Sequence, residues 1–431
     1  MTASGQKRVD LVGWLVRAAW GRRLETGLTL ATSVARVSLV GLLGATVGSA
    51  VLALCALVMV TYRPTRGWMV DLYRRERLER HYGKVFASAG IDRAFAPAVL
   101  AQHATPSGVV LDLALSPGCT AKDLAARTEP LAVALGAASV RIRENRGAAG
   151  RAQLVVANTD PLAGWPIPWP WIGIEQTHLW GGLPLGHDED DGLVVLELAG
   201  HHLLLGGEPG AGKSNALSLV VAAAALDPAV ELWCFDGKLV ELAAWRNCAK
   251  RFVGSDVAEA TEALGELRTE MEARYALLLE RGLRKVDRTT GLGLIVVVID
   301  ELALYTQGKG KARDEFCDAL RDLVARGRAA GIVVVAATQK PASDIVPTSI
   351  RDLFGCRLAM RCSTRDASDT VLGSGWATEG YSASDLDPVH RGVGYLLAEG
   401  TVPRRMRCFV LEDRHVHQLV RRAEELRGSG Q

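Results

Sequence analysis

From residue 183 onward the chain alternates between short apolar runs and longer stretches with helical spacing. The runs LVVLEL (193–198), HLLLGG (202–207), ELWCFD (231–236), LIVVVID (294–300), IVVVAAT (332–338), CRLAMRC (356–362) and GVGYLLA (392–398) are of strand length. Strands apolar on both faces and separated by helices predict a mostly parallel sheet covered on both sides, an α/β domain over 183–412. Upstream the pattern is different. VVLDLAL (109–115), SVRIRE (139–144) and QLVVAN (153–158) read as strands, and Thr120 reads as the N-cap of a helix ending near Gly136. They predict a small α+β domain over 105–158. Between the two, over 159–182, four prolines and three tryptophans in DPLAGWPIPWPWIG exclude regular structure and predict a connector that packs its tryptophans. Residues 63–104 carry mixed charge at helical spacing and read as a juxtamembrane linker helix, and 413–431 as a short tail helix.

One stretch departs from a soluble pattern. Val37 to Tyr62 holds 26 residues without a charge, and a helix of that length reaches about 39 Å against a hydrocarbon core of about 30 Å. A transmembrane segment over 37–62 is expected, behind a basic tail over 1–36. Arginines flank it on both sides, so the charge bias that orients spans is nearly balanced. One span is expected, with a hairpin using Leu28–Val40 as the alternative, and the C-terminal body is placed in the cytoplasm.

Composition narrows the partners. A net charge of +2 gives no global basic field, so any contact with nucleic acid must be local. Eight cysteines without a C-x-x-C pair, and nine histidines without a ligand spacing, predict neither a zinc site nor a disulfide framework.

The chemistry gathers at strand ends. Gly207-Glu208-Pro209-Gly210-Ala211-Gly212-Lys213-Ser214, followed by Asn215, follows the run 202–207 and precedes a helix. That is the G-x-x-x-x-G-K-S pattern in its proper context: backbone N–H groups curl around phosphate, Lys213 neutralises the β- and γ-phosphates, and Ser214 meets Mg²⁺. LIVVVID ends on Asp300, a Mg²⁺ ligand, with Glu301 beside it to orient or deprotonate water. ATP and Mg²⁺ are the expected cofactors. Arg326 and Arg328 close the next helix, where one of them is suited to reach a neighbouring subunit's nucleotide. Gln339, at the far end of the following strand, is placed to sense the γ-phosphate or water.

RGRAAGIVVVAATQKPASDIV (326–346) resembles the K-A-R-A-A-G-I-H-x-V-x-A-T-Q-R-P-S-x-D-V-I block of the FtsK/SpoIIIE family of DNA-pumping ATPases. FDGKLVEL (235–242) is similar to that family's I-D-P-K-x-x-E-L with Gly237 for proline, and EMEARYALL (270–278) to its E-M-E-R-R-Y-x-L-M helix. The likeness runs in order over residues 105–410 or so. It implies a RecA-like motor domain, a hexameric ring around double-stranded DNA, and Arg328 as the arginine acting in trans. Departures are the short C-terminal tail, with no room for a winged-helix domain, and the lack of a multi-span membrane domain or long linker. The chain thus resembles the compact type carried on actinobacterial plasmids and integrative elements, the conjugative Tra proteins. Chromosome partition and protein secretion are the alternatives. Three basic loops are candidates for DNA contact: Thr306–Arg313, Lys340–Arg351 and Arg281–Arg288.

Overall fold

A computed structural model of the chain describes residues 63–428 other than 106, 146, 149, 340, 343 and 344, together with 33, 34, 37, 47 and 49–51. The expected span over 37–62 therefore lies almost wholly outside the described residues. Among those described, no helix is long and apolar enough to cross a membrane. The chain divides into two compact units at Asp160/Pro161.

In the first unit, helix α1 (Arg63–Ser88) is followed by β1 (Ala98–Thr105), β2 (Gly108–Ala114), α2 (Ala121–Ala125), α3 (Thr128–Leu135), β3 (Ser139–Glu144) and β4 (Arg151–Ala157). The strands form an antiparallel sheet in the order β1-β2-β4-β3. Leu111, Leu113, Leu154 and Val156 project from one face, because alternate residues of a strand share a face, and meet Phe86, Leu124 and Leu131. Thr120 caps α2 in a capping box with Asp123. The stretch 63–104 is thus not one linker helix. It ends as a helix at Ser88, and Ala98–Thr105 joins the sheet, where Val99 enters the core. The alternation that marks a strand is faint there, since Gln102, His103 and Ala104 are all exposed.

The second unit is built on a ten-stranded sheet. Its strands are β5 (Leu183–Asp188), β6 (Leu193–Leu196), β7 (Leu203–Gly206), β8 (Glu231–Phe235), β9 (Arg251–Val253), β10 (Ile295–Ile299), β11 (Ile332–Thr338), β12 (Cys356–Met360), β13 (Val393–Leu397) and β14 (Arg404–Cys408). The spatial order is β6-β5-β14-β13-β12-β7-β11-β10-β8-β9. From β12 to β9 all neighbours are parallel, whereas β6, β5, β14 and β13 add an antiparallel wing. The sheet is therefore mixed, with its parallel part where the motifs lie.

Helix α4 (Lys213–Ala225) covers one face, in one core with Leu203, Leu205, Val296, Val298, Val333 and Val335, and α10 (Asp413–Gly428) packs against α4. Helices α5 (Val257–Glu280) and α7 (Lys311–Arg326) cover the other, over Leu204, Val297, Ile299, Val334 and Ala336. Burying a side chain of this size contributes about 1.5–3 kcal/mol, which is why the central strands can be apolar throughout. The tail helix belongs to this body. Arg427 donates to the carbonyls of Ala224 and Ala225, at the end of α4, and of Asp227 and Val230 just beyond. The proline-tryptophan stretch also belongs here: Trp169 is buried and donates to the Pro184 carbonyl, while Trp165 stands exposed.

Candidate nucleotide site

Parallel strands end together, so the residues that follow them meet at one edge of the sheet. Beyond β7 lies the loop 207–212, and α4 starts at Lys213 with its N-terminus facing the loop. The partial positive charge of a helix N-terminus favours phosphate there. Gly212 sits at φ 105°, and a Cβ on it would come within 2.7 Å of the Gly392 nitrogen. The loop is braced from that side, for Gly392 N–H donates to the Ala211 carbonyl at 2.9 Å. A cavity of about 450 Å³ opens above the loop. Its walls are Glu208, Pro209, Gly210, Gly212, Lys213, Ser214 and Asn215 on one side, and Glu241, Gln339, Arg391, Gly392, Cys408 and Val410 on the others.

Lys213 is 6% exposed. Burial holds its ammonium below the ordinary lysine range, and the Glu301 charge acts against that. Glu208 is tied to Arg361 twice, through its own N–H to the Arg361 carbonyl at 2.9 Å and through its carboxylate to the guanidinium at 2.7 Å. Asn215 is used structurally. Its Nδ2 donates to the Phe409 carbonyl at 2.6 Å and its Oδ1 accepts from Leu411 N–H at 2.9 Å, which pins the chain leaving β14 against α4. That leaves Asn215 lining the cavity with its side-chain amide already engaged.

Asp300 follows β10 and is buried. Its Oδ1 accepts from Gly237 N–H at 3.1 Å, whereas Oδ2 makes no protein hydrogen bond. Burial, with Asp236 nearby, pushes its carboxyl up to about 6. Asp236 occupies the same place after β8. It is fully buried, with Oδ2 accepting from Leu242 N–H at 2.8 Å and Oδ1 left without a partner. Two buried carboxylate oxygens without donors are the environment a divalent cation satisfies, so the residues fit Mg²⁺. Asp236 was not singled out from sequence. The signal was there, in an apolar run ending Asp-Gly beside the one ending Asp-Glu.

Glu301 caps the short helix α6 (Leu302–Thr306), accepting from Ala303 N–H at 3.4 Å. Both its oxygens also face Gln339 N–H, at 3.2 and 3.1 Å, and Lys238 lies 3.8 Å away. Gly207 N–H donates to the Thr338 carbonyl at 3.3 Å, so the P-loop, Glu301 and Gln339 are joined through the ends of β7, β10 and β11.

The arginines lie elsewhere. Arg328 precedes β11, and the seven residues of that strand span about 23 Å at 3.3 Å each. It sits at the opposite sheet edge from its own P-loop, where its Nε donates to the Gly200 carbonyl at 2.6 Å and its Nη2 to Glu399 at 2.9 Å. Arg326 pairs with Glu272 at 2.6 Å and Asp322 at 3.3 Å, over the Tyr275 ring.

Comparison with known proteins agrees with this arrangement. Residues 180–294 match the FtsK/SpoIIIE family; the match covers the P-loop and stops short of Asp300. The DNA translocase FtsK of Lactococcus lactis subsp. cremoris is 27% identical over 337 residues, 72% of this chain and 44% of that protein. The DNA translocase FtsK of Oceanobacillus iheyensis is 30% identical over 257 residues, 55% of this chain and 32% of that protein. The chain thus spans less than half the length of these relatives. Among solved structures, the pCW3 conjugation coupling protein TcpA with ATPγS shares the fold at a TM-score of 0.55 and 20% identity, over 81% of this chain and 99% of TcpA. EssC (ATPases 2 and 3) of Geobacillus thermodenitrificans does so at 0.50 and 16%, over 61% and 51%. The stretch 180–294 is thus similar to the FtsK/SpoIIIE-family domain.

Proposed function

Taking that similarity to the FtsK/SpoIIIE domain as the premise, we propose that the protein is a membrane-anchored, ATP-driven translocase of double-stranded DNA, working as a hexameric ring in the transfer of a plasmid or integrative element. The observation that carries the reading is the joining of P-loop, Glu301 and Gln339 in one hydrogen-bonded group at the cavity. Nucleotide phosphates lie on the loop 207–214 and against Lys213. Ser214 and Asp300 would hold Mg²⁺, which would supply neutralisation of phosphate charge. Glu301 accepts the proton of the attacking water, and Gln339 reports the γ-phosphate to the loop that follows it. Arg328 cannot reach its own subunit's phosphates across the sheet, which supports its acting on a neighbour's.

DNA contact is assigned to the loops after β10 and β11. Thr306 Oγ donates to the Ile345 carbonyl at 2.9 Å, which ties the two loops together, and Lys309 on the first loop and Lys311 at the start of α7 are exposed. The uncharged stretch 37–62 is the anchor, and the need for ATP assigns the motor to the cytoplasmic side. Transfer between cells is favoured over chromosome partition by TcpA, a conjugation protein whose solved chain is matched over almost all its length. A secretion ATPase is the rival reading. ATP turnover of the full chain should rise with linear duplex DNA, and stimulation by a secreted peptide instead would overturn the proposal.

A further inference from the structure

We propose that Glu399 is a positioning residue for Arg328, fixing the guanidinium at the sheet edge from which it would reach a neighbouring subunit; this rests on the in-trans reading of Arg328. The topology brings four connections together there. Gly200 comes just before β7, Arg328 before β11 and Gly355 before β12, where all three strands begin. Strand β13 runs antiparallel to β12, so its far end delivers Glu399 to the same edge.

Arg328 is held from two directions. Its Nε donates to the Gly200 carbonyl at 2.6 Å, and its Nη2 to Glu399 Oε2 at 2.9 Å. His201 Nε2 lies 3.7 Å from the same carboxylate oxygen. Gly355 lets the carboxylate lie close to the backbone, for a Cβ there would stand 3.1 Å from Glu399 Oε2. The arginine side chain remains 40% exposed, so these contacts fix its direction without burying it.

A group that stabilises transition-state charge gains from being held in place beforehand, since ordering it during the reaction costs entropy. A planar guanidinium gripped on one edge keeps its other N–H groups directed outward. The Gly200 contact is backbone and invariant to side-chain substitution. Glu399 is therefore the part of the grip that can be removed alone.

The test is a double-mutant cycle on DNA-stimulated ATP turnover of the full chain, with ATP affinity and the unfolding midpoint measured beside it. Glu399→Ala should lower kcat about ten-fold or more, leave ATP affinity and the midpoint unchanged, and add nothing to the loss in Arg328→Ala. Glu399→Gln, which still accepts a hydrogen bond, should fall between wild type and Glu399→Ala. If the two losses multiply, or if only Arg328→Ala is impaired, Glu399 does not act through Arg328. If Arg328→Ala turns over like wild type, the in-trans reading itself has failed and takes the positioning role with it.

Discussion

The carboxylate of Glu301 accepts the backbone N–H of Gln339 on both oxygens, at 3.2 and 3.1 Å. The group read as the general base is thereby bonded to the residue read as the phosphate sensor, through a main-chain donor that no substitution at 339 except proline removes. Glu301→Gln keeps one of the two acceptor oxygens and loses the basicity. ATP turnover should fall ~100-fold or more while ATP binding, followed by isothermal titration, stays near wild type. Equal losses in both would show that Glu301 serves to build the site.

Asp300 stands at a cost to the fold. Its carboxyl is raised from 3.8 to about 6 because burial disfavours the charged form. Between those values the folded state binds more protons than the unfolded one, so stability falls as pH rises through the window. Without nucleotide, Asp300→Asn should raise stability at pH 7 by about 1–3 kcal/mol, and the gain should vanish near pH 4. Urea unfolding at the two pH values measures it.

Arg427 closes the end of α4 with its guanidinium on four carbonyls. Arg427→Met keeps the apolar stem and leaves those acceptors without the charged donor. A loss of about 1.5–3 kcal/mol is expected, read as a lower urea midpoint.

Arg328 and Lys213 belong to different composite sites if the arginine acts on a neighbour. Mixing Lys213→Ala with Arg328→Ala subunits should then restore part of the ATP turnover that each has lost alone. Absence of rescue at every mixing ratio would count against an arginine in trans.

The central parallel strands are legible because nothing interrupts their apolar runs: Ile332–Thr338 begins and ends where the sequence places it. The antiparallel wing is legible only in part: β6 and β13 fall on expected runs, whereas β5 and β14 do not. Strand β14 reads RRMRC, and its arginines hide the alternation. In the fold they are satisfied one by one: Arg404 by Asp188, Arg405 by Glu189, and Arg407 by the carbonyls of Leu162 and Gly164. Those partners are more than 200 positions away, beyond the reach of any local pattern. The site shows the same division. The P-loop and Asp300–Glu301 announce themselves through short motifs at strand ends. The wall opposite the P-loop, Arg391–Gly392 and Cys408–Val410, carries no motif and is recognised only once β13 and β14 are laid beside β12.

The wall also arrives late. Asn215 bonds Phe409, 194 residues downstream, and Gly392 braces the P-loop at Ala211. At about 5–20 residues per second on the ribosome, the P-loop waits some 10–40 seconds for the residues that complete its cavity. The cavity described above is therefore incomplete on a nascent chain until residues 391–410 have been made.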